Sequence, residues 1–296
     1  MPPSRPVTAR VSLVVTADDF GIGVETSRGI IDAHLRGPVT ATSLMTVTGD
    51  RAAASVALLE QAPRLEVGLH LCLTDCGERP LALKPGDGSG LVRRDGRFHS
   101  NARLWLKSWM GRVSASAVAE EIAAQAEAFR RLTGRAPAYF DCHHHAHQLP
   151  IIRRAVVRAV AEGVLPPVAR ISVEPPAVRA GVGSAVWRRW AAGLIGRVAA
   201  HEFRAAGMRC NDWFFGMIDA ADLERDFPWA EYLPRLPDHG VVEWVVHPGR
   251  PDDTLRGRDP YVRERVRELE ALTGPFAARL LTRPDLRFTT KSAALG

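Results

Sequence analysis

The sequence predicts an α/β fold, a distorted barrel of about seven parallel strands with helices around it. Short β-branched runs alternate with longer runs of helical periodicity along most of the chain, the pattern of a parallel sheet wrapped by helices. The strand candidates number seven, close to what closure of a barrel requires. The polar residues with chemical capacity stand near the carboxyl ends of those candidates, the rim where barrels and open α/β sheets bind ligands.

In chain order the strand candidates are 11–17, 39–47, 65–74, 138–145, 168–174, 208–215 and 241–247, each an apolar, β-branched run of strand length. Helical spacing fills 24–35, 51–61, 117–132, 151–162, 184–205, 221–233 and 261–272. End signals frame several of these: Asp50 as an N-cap before Arg51, Pro150 in a first turn, Gly134 and Gly274 just past last turns. The segment 75–101, with LKPGDGSG and RRDGRF, holds too many turn residues for a buried element and reads as a long loop of the lid type. No internal repeat and no linker composition interrupts the pattern, so residues 1–296 are expected to form a single domain.

No run reaches the ~18 apolar residues of a membrane span, and MPPSRPVTAR lacks a signal-peptide core, so a soluble, cytoplasmic protein is expected. Cys72, Cys76, Cys142 and Cys210 are too few to staple a chain this long and read as reduced thiols; a structural zinc site among the first three lacks a second close pair. The formal charge is +6, carried by arginine with lysine only at 84, 107 and 291. Those cations read as spread along the chain, which argues against a nucleic-acid stripe.

The chemistry concentrates in three places. TADDF ends the first strand candidate with Asp18 and Asp19, VGLHL places His70 late in the third, and YFDCHHHAH gathers His143, His144, His145 and His147 at the end of the fourth. Strand alternation puts His70 on the face opposite Leu69 and Leu71; extended through DCHHH, it puts Asp141, His143 and His145 on one face and Cys142 and His144 on the other. Asp212 and Trp213 lie late in the sixth candidate, and His247 closes the seventh. One carboxylate and two imidazoles leave metal positions open for water and substrate, as catalytic sites do. The aspartate doublet can divide the duties of ligand and base, and His247 can supply an acid from the opposite rim. Alone, each motif has a bland reading as a polar turn or a surface histidine, and His34, His99, His201 and His239 keep that reading.

The ordered set ADDFG at 17–21, GLHLCLT at 68–74, FDCHHHAH at 140–147 and HPGR with a following DD at 247–253 resembles the YdjC-like carbohydrate deacetylases, a group that includes chito-oligosaccharide deacetylase and the hopanoid-pathway deacetylases. The cluster is closer to the chito-oligosaccharide branch. The resemblance implies a distorted, polysaccharide-deacetylase-like (β/α) barrel and hydrolysis of the N-acetyl group of an amino sugar such as N-acetylglucosamine, with acetate and a free amine as products. It implies Asp19, His70 and His143 as ligands of one divalent metal, Asp18 as base and His247 as acid. Asp141, His145, Arg170, Asp212 and Trp213 are the further substrate-binding candidates, and segment 178–206 has no counterpart in the motif set. Magnesium is the metal the resemblance implies, whereas two imidazoles and a carboxylate suit zinc or cobalt at least as well on ligand softness. The rival readings are a metal phosphoesterase, which normally wants a second metal, and a non-enzymatic basic module for anions or nucleic acid. The expected partner is a small amino-sugar substrate, with no nucleic acid and no membrane span, and with a homodimer as the assembly to test.

Overall fold

The computed structural model describes residues 11–181, 186–216, 233–253, 255, 259 and 261–296; the helix expected at 221–233, apart from Leu233, and the side chain of Trp187 lie outside the described residues. The strands are β1 (Val11–Phe20), β2 (Ala41–Leu44), β3 (Glu66–Leu71), β4 (Phe140–Cys142), β5 (Val168–Ala169), β6 (Arg209–Cys210), β7 (Trp213–Phe215), β8 (Gly240–Val246) and β9 (Leu286–Phe288). All pair in parallel, in the order β6-β5-β4-β3-β2-β1-β8-β7. β9 lies along Val11–Leu13 of β1, on the edge that β2 takes up further along, from Thr16 onward.

The two ends of this order belong to one stretch of chain. β6 pairs with β5 and β7 with β8, and only Asn211 and Asp212 separate β6 from β7. The strand expected at 208–215 is therefore one broken strand that closes the sheet on itself, which reconciles seven barrel positions with a larger strand count. At the break a side chain replaces the backbone ladder: Asn211 Oδ1 accepts from Ile171 N (2.9 Å), and its Nδ2 donates to Ile171 O (2.9 Å) and Trp213 O (2.8 Å).

β2, β3, β4 and β5 are shorter than their apolar runs suggest, because the chain leaves the ladder as soon as it reaches the rim. After β4 it winds at once into a 3-10 turn, His143–Gln148, with His144 and His145 both at φ 55°. Helices Val24–Arg36, Asp50–Val56, Ala115–Thr133, Pro150–Ala161, Val186–Ala205 and Arg263–Thr273 follow the expected segments. Helix Ala115–Thr133 shows why: Ser114 accepts from Ala117 N at its start, and Gly134 at φ 70° closes its end. The segment 75–101 has no regular element up to Ser100 except a bridge between Val92 and Phe98, yet Leu91 and Phe98 are fully buried, so it is packed against the barrel rather than free of it. No helix among the described residues is long and apolar enough to cross a membrane.

The barrel interior is apolar toward its helices and charged along its axis. Leu13, Val15, Leu69, Phe140, Phe215 and Trp244 belong to the main core. Gly68 leaves room for Tyr139, whose ring would lie 2.3 Å from any Cβ placed there. Through this core runs a ladder of opposite charges. Lys291 Nζ bonds Glu243 Oε1 (2.7 Å), Glu243 Oε1 also accepts from Arg170 Nε (2.8 Å), and Arg170 reaches both Asp18 and Asp141 (2.7 Å each). Burial of such groups is tolerable only because each charge meets an opposite one.

Candidate metal centre

Consecutive aspartates at the end of β1 meet opposite surroundings. Asp18 keeps the strand direction and points into the barrel, where its Oδ2 and Oδ1 accept from Nη1 and Nη2 of Arg170 at 2.7 Å each. Asp19 adopts φ 65°, which a non-glycine residue rarely does and which turns it out of the ladder. Its Oδ2 accepts from Arg265 Nη2 (2.5 Å), and Arg265 is itself tied to Asp259 (2.6 Å). Its Oδ1 is buried without a hydrogen-bond partner.

His70 arrives by register. β3 and β4 pair His70 with Asp141, so Asp141 Oδ1 accepts from His70 Nδ1 at 2.6 Å, while Oδ2 accepts from Ser43 Oγ (2.6 Å) and Arg170. A carboxylate on one ring nitrogen orients the other outward, the arrangement that metal-binding histidines use. His70 Nε2 is likewise buried without a partner, 3.4 Å from Asp19 Oδ1. His143 Nδ1 completes the convergence, also 3.4 Å from Asp19 Oδ1. Among the described residues, Asp19, His70 and His143 form a set able to hold a cation, with their ligand atoms all within 4.8 Å of one another.

The electrostatics favour positive charge at that point. Burial alone would lower the His70 pKa, yet Asp18, Asp141 and the bond to Asp141 hold it up at about 10. Burial would raise the Asp19 pKa, but Arg265, His143 and His70 pull it well below the carboxylate range. An ionised carboxylate oxygen and an imidazole nitrogen, both desolvated and both lacking a partner, fit a divalent cation. A second convergence, Asp18, His70 and Asp141, already contains a cation, the guanidinium of Arg170. That leaves room for one metal and not two, which weighs against a two-metal phosphoesterase.

Several expectations need correction. Strand alternation fails after Cys142, because β4 ends there and the chain turns: His143 faces Asp19, His144 is exposed with Nδ1 2.9 Å from Thr74 Oγ1, and His145 packs edge-on against Phe214. Cys142, by contrast, is buried in the core, away from the centre as its position in β4 suggests. Arg170 and Asp141, expected as substrate-binding candidates, are fully buried and use their polar atoms on other side chains. Asp212 and Trp213 lie level with the start of β8 and not with its carboxyl end. Asp212 Oδ2 accepts from Val241 N at the start of β8, and Trp213 pairs with Val242. His247 lies six residues beyond Val241, about 20 Å further along at ~3.3 Å per residue. The expectation fails because Trp213 is level with Val242, near the start of β8 and not with its end.

His247 itself is half-buried just past β8, its ring edge-on to Tyr261 at 5.4 Å. The carboxylate beside it is Glu268, which accepts from His247 N and, at 2.6 Å, from Tyr261 Oη. Glu268 and Arg265 come from the same helix, so one element serves two sides of the rim. Sequence reasoning passed over both, along with Ser43, Glu243 and Lys291. Glu243 carried a signal: it is the one charge inside the apolar run VVEWVV.

Residues 12–283 match the family model described as YdjC-like protein. A carbohydrate deacetylase from Mus musculus is 34% identical over 287 residues, covering 90% of this chain and 89% of the relative. A chitooligosaccharide deacetylase from Yersinia pestis (strain Pestoides F) is 30% identical over 272 residues, covering 89% and 91%. In three dimensions the chain is similar to a crystal structure from Enterococcus faecalis V583 that carries the provisional name of a cellobiose-phosphate cleavage protein. That match has a TM-score of 0.77 at 22% identity, covers 97% of this chain and 100% of the other, and bears on the fold alone.

Proposed function

Because this chain belongs to the YdjC-like proteins, we propose that it is a metal-dependent carbohydrate deacetylase that hydrolyses the acetamide of an N-acetylamino sugar, releasing acetate and a free amine. The observation that carries this reading is the meeting of Asp19 Oδ1, His70 Nε2 and His143 Nδ1, two of them buried and partnerless, at the carboxyl end of the barrel. In the proposal these three hold one divalent ion, which when bound acidifies water and polarises an acyl oxygen. Magnesium follows from the family resemblance, zinc or cobalt from the donor set.

Protein groups supply the rest. Asp18 takes the proton of the attacking water; each of its oxygens has a second lone pair left after bonding to Arg170, which fixes its direction. The water oxygen bonds to the acetyl carbon, the C–N bond breaks, and His247 gives its proton to the departing nitrogen. Asp141 keeps His70 oriented and Arg265 does the same for Asp19. His145 remains a substrate-side candidate beside Phe214.

The test is a panel of N-acetylated sugars, with N-acetylglucosamine and its oligomers included, assayed for acetate and free amine. Release that a chelator abolishes and one added divalent ion restores is the expected result. Chelator-insensitive turnover, or release of phosphate from esters in its place, would overturn the proposal.

A further inference from the structure

The excursion between β3 and helix Ala115–Thr133 carries a surplus of positive charge. Residues 75–114 hold eight arginines and lysines against four aspartates and glutamates, a net +4 of the +6 carried by the whole chain, so the cations are not evenly spread. The acids present are already engaged: Glu78 with Arg51, Asp75 and Asp95 with Arg93, and Asp87 with the backbone N–H of Ser89. Arg94, Arg103 and Lys107 have no acidic partner among the described residues.

These cations face concave space. Two adjoining cavities, about 580 and 620 Å³ in volume, share Arg94 and Lys107 in their walls; Arg112 adds to the first, and Arg103 and His99 to the second. Neither is lined by an aspartate or glutamate. The second cavity also meets the start of helix Asn101–Trp109 at Ser100, whose side chain makes no capping bond. The first turn of that helix has no acid and contains Arg103, with Lys107 one turn on. Cations there oppose both the helix dipole and each other, a cost that a bound anion would remove. The adjacent helix Ala115–Thr133 behaves differently, with Ser114 capping its own first turn. A buried histidine belongs to the same wall: His99 is only 8% exposed and lines the second cavity. Burial, then Lys107, Arg103 and Arg93, lower its pKa, so the ring is kept neutral by a positive field.

We infer that these joined cavities bind a small oxyanion, a phosphoryl group free or esterified, held by Arg94, Arg103 and Lys107 over the start of helix Asn101–Trp109 and separate from the Asp19–His70–His143 centre. Guanidinium forks and unoccupied helix N–H groups are the donors that a tetrahedral dianion takes up. The cations line concave pockets instead of an extended stripe, which fits a compact ligand and not a nucleic-acid backbone.

The experiment is calorimetric titration of inorganic phosphate into the full-length protein as purified. Saturable binding is expected, weakened about tenfold or more by Arg103→Ala and by Lys107→Met, and unchanged by Arg131→Ala on the exposed side of helix Ala115–Thr133. His143→Ala should also leave it unchanged. Loss of binding in His143→Ala but not in Arg103→Ala would move the anion to the metal centre and overturn the inference. So would the absence of saturable binding, or equal weakening by Arg131→Ala. A hexose 6-phosphate titrated in parallel separates the sources. Tighter binding than inorganic phosphate, with the same dependence on Arg103, assigns the site to a phosphorylated ligand; equal or weaker binding with that dependence assigns it to free phosphate. Ester binding that ignores Arg103 counts against the site.

Discussion

Inside the barrel, Lys291, Glu243, Arg170, Asp18 and Asp141 answer one another charge for charge; a few ångströms away at the rim, Asp19 Oδ1 and His70 Nε2 are equally buried, 3.4 Å apart, and without a hydrogen-bond partner. Both regions are desolvated, and desolvation of polar atoms costs free energy unless something repays it. In the interior the repayment is intramolecular, which fixes geometry and stability. At the rim the proposed metal would supply it. His70 joins the two, with its Nδ1 on the interior carboxylate Asp141 and its Nε2 in the open set.

The contrast breaks first at the rim. Asp19→Ala or His70→Ala should remove bound metal, read by elemental analysis, and lower turnover by about 10³-fold or more. If His143→Ala kept its metal and its rate while His144→Ala lost both, the third ligand would have to be reassigned within the cluster. In the interior the damage should fall on the fold. Arg170→Met leaves Asp18, Asp141 and part of Glu243 as uncompensated buried charge, an expected loss of about 3–5 kcal/mol in urea unfolding. A variant of wild-type stability that has merely lost activity would show that the ladder serves catalysis alone.

His147 sharpens the comparison through pH. It is fully buried beneath the rim, Nε2 on the Arg170 carbonyl at 2.8 Å, and burial pushes its pKa down to about 4. Above its unfolded pKa of about 6.5 neither state holds the proton; between there and about 4 only the unfolded chain does. Stability should therefore drain as pH falls through that window, by up to about 3 kcal/mol from this residue. His147→Gln should flatten that limb relative to wild type, and an unchanged slope would refute the assignment. The smallest effect is expected beside the start of β8. Asp212→Ala should cost no more than about 1 kcal/mol and leave turnover within about twofold; a large loss of rate would return Asp212 to the rim.

Much of this was legible in the chain because apolar periodicity reports strands and helices directly, and because Asp18, Asp19, His70 and His143 sit at the ends of clear strand runs. What was not legible depended on local backbone breaks. The αL turns at His144 and His145 undid an alternation argument that holds only for extended chain. The apolar run 208–215 does not reveal that Trp213 stands level with Val242, near the start of β8. Arg265, Glu268 and Lys291 come from helices near the C-terminus whose charged residues look like an ordinary solvated face. Only the tertiary fold shows them buried against Asp19, His247 and Glu243.

The pairing of β1 has a consequence for synthesis. One edge of β1 is covered by β8 and part of the other by β9, so a strand made among the first twenty residues awaits partners near residues 240–288. At about 5–20 residues per second the ribosome needs on the order of 10–50 s to deliver them. Until then VSLVV is an apolar strand with an open edge, the kind of segment that pairs with other chains. Yield in the cell should therefore depend on how this early strand is sheltered, and slower elongation over the last fifty codons should lower it more than the same delay over the first fifty.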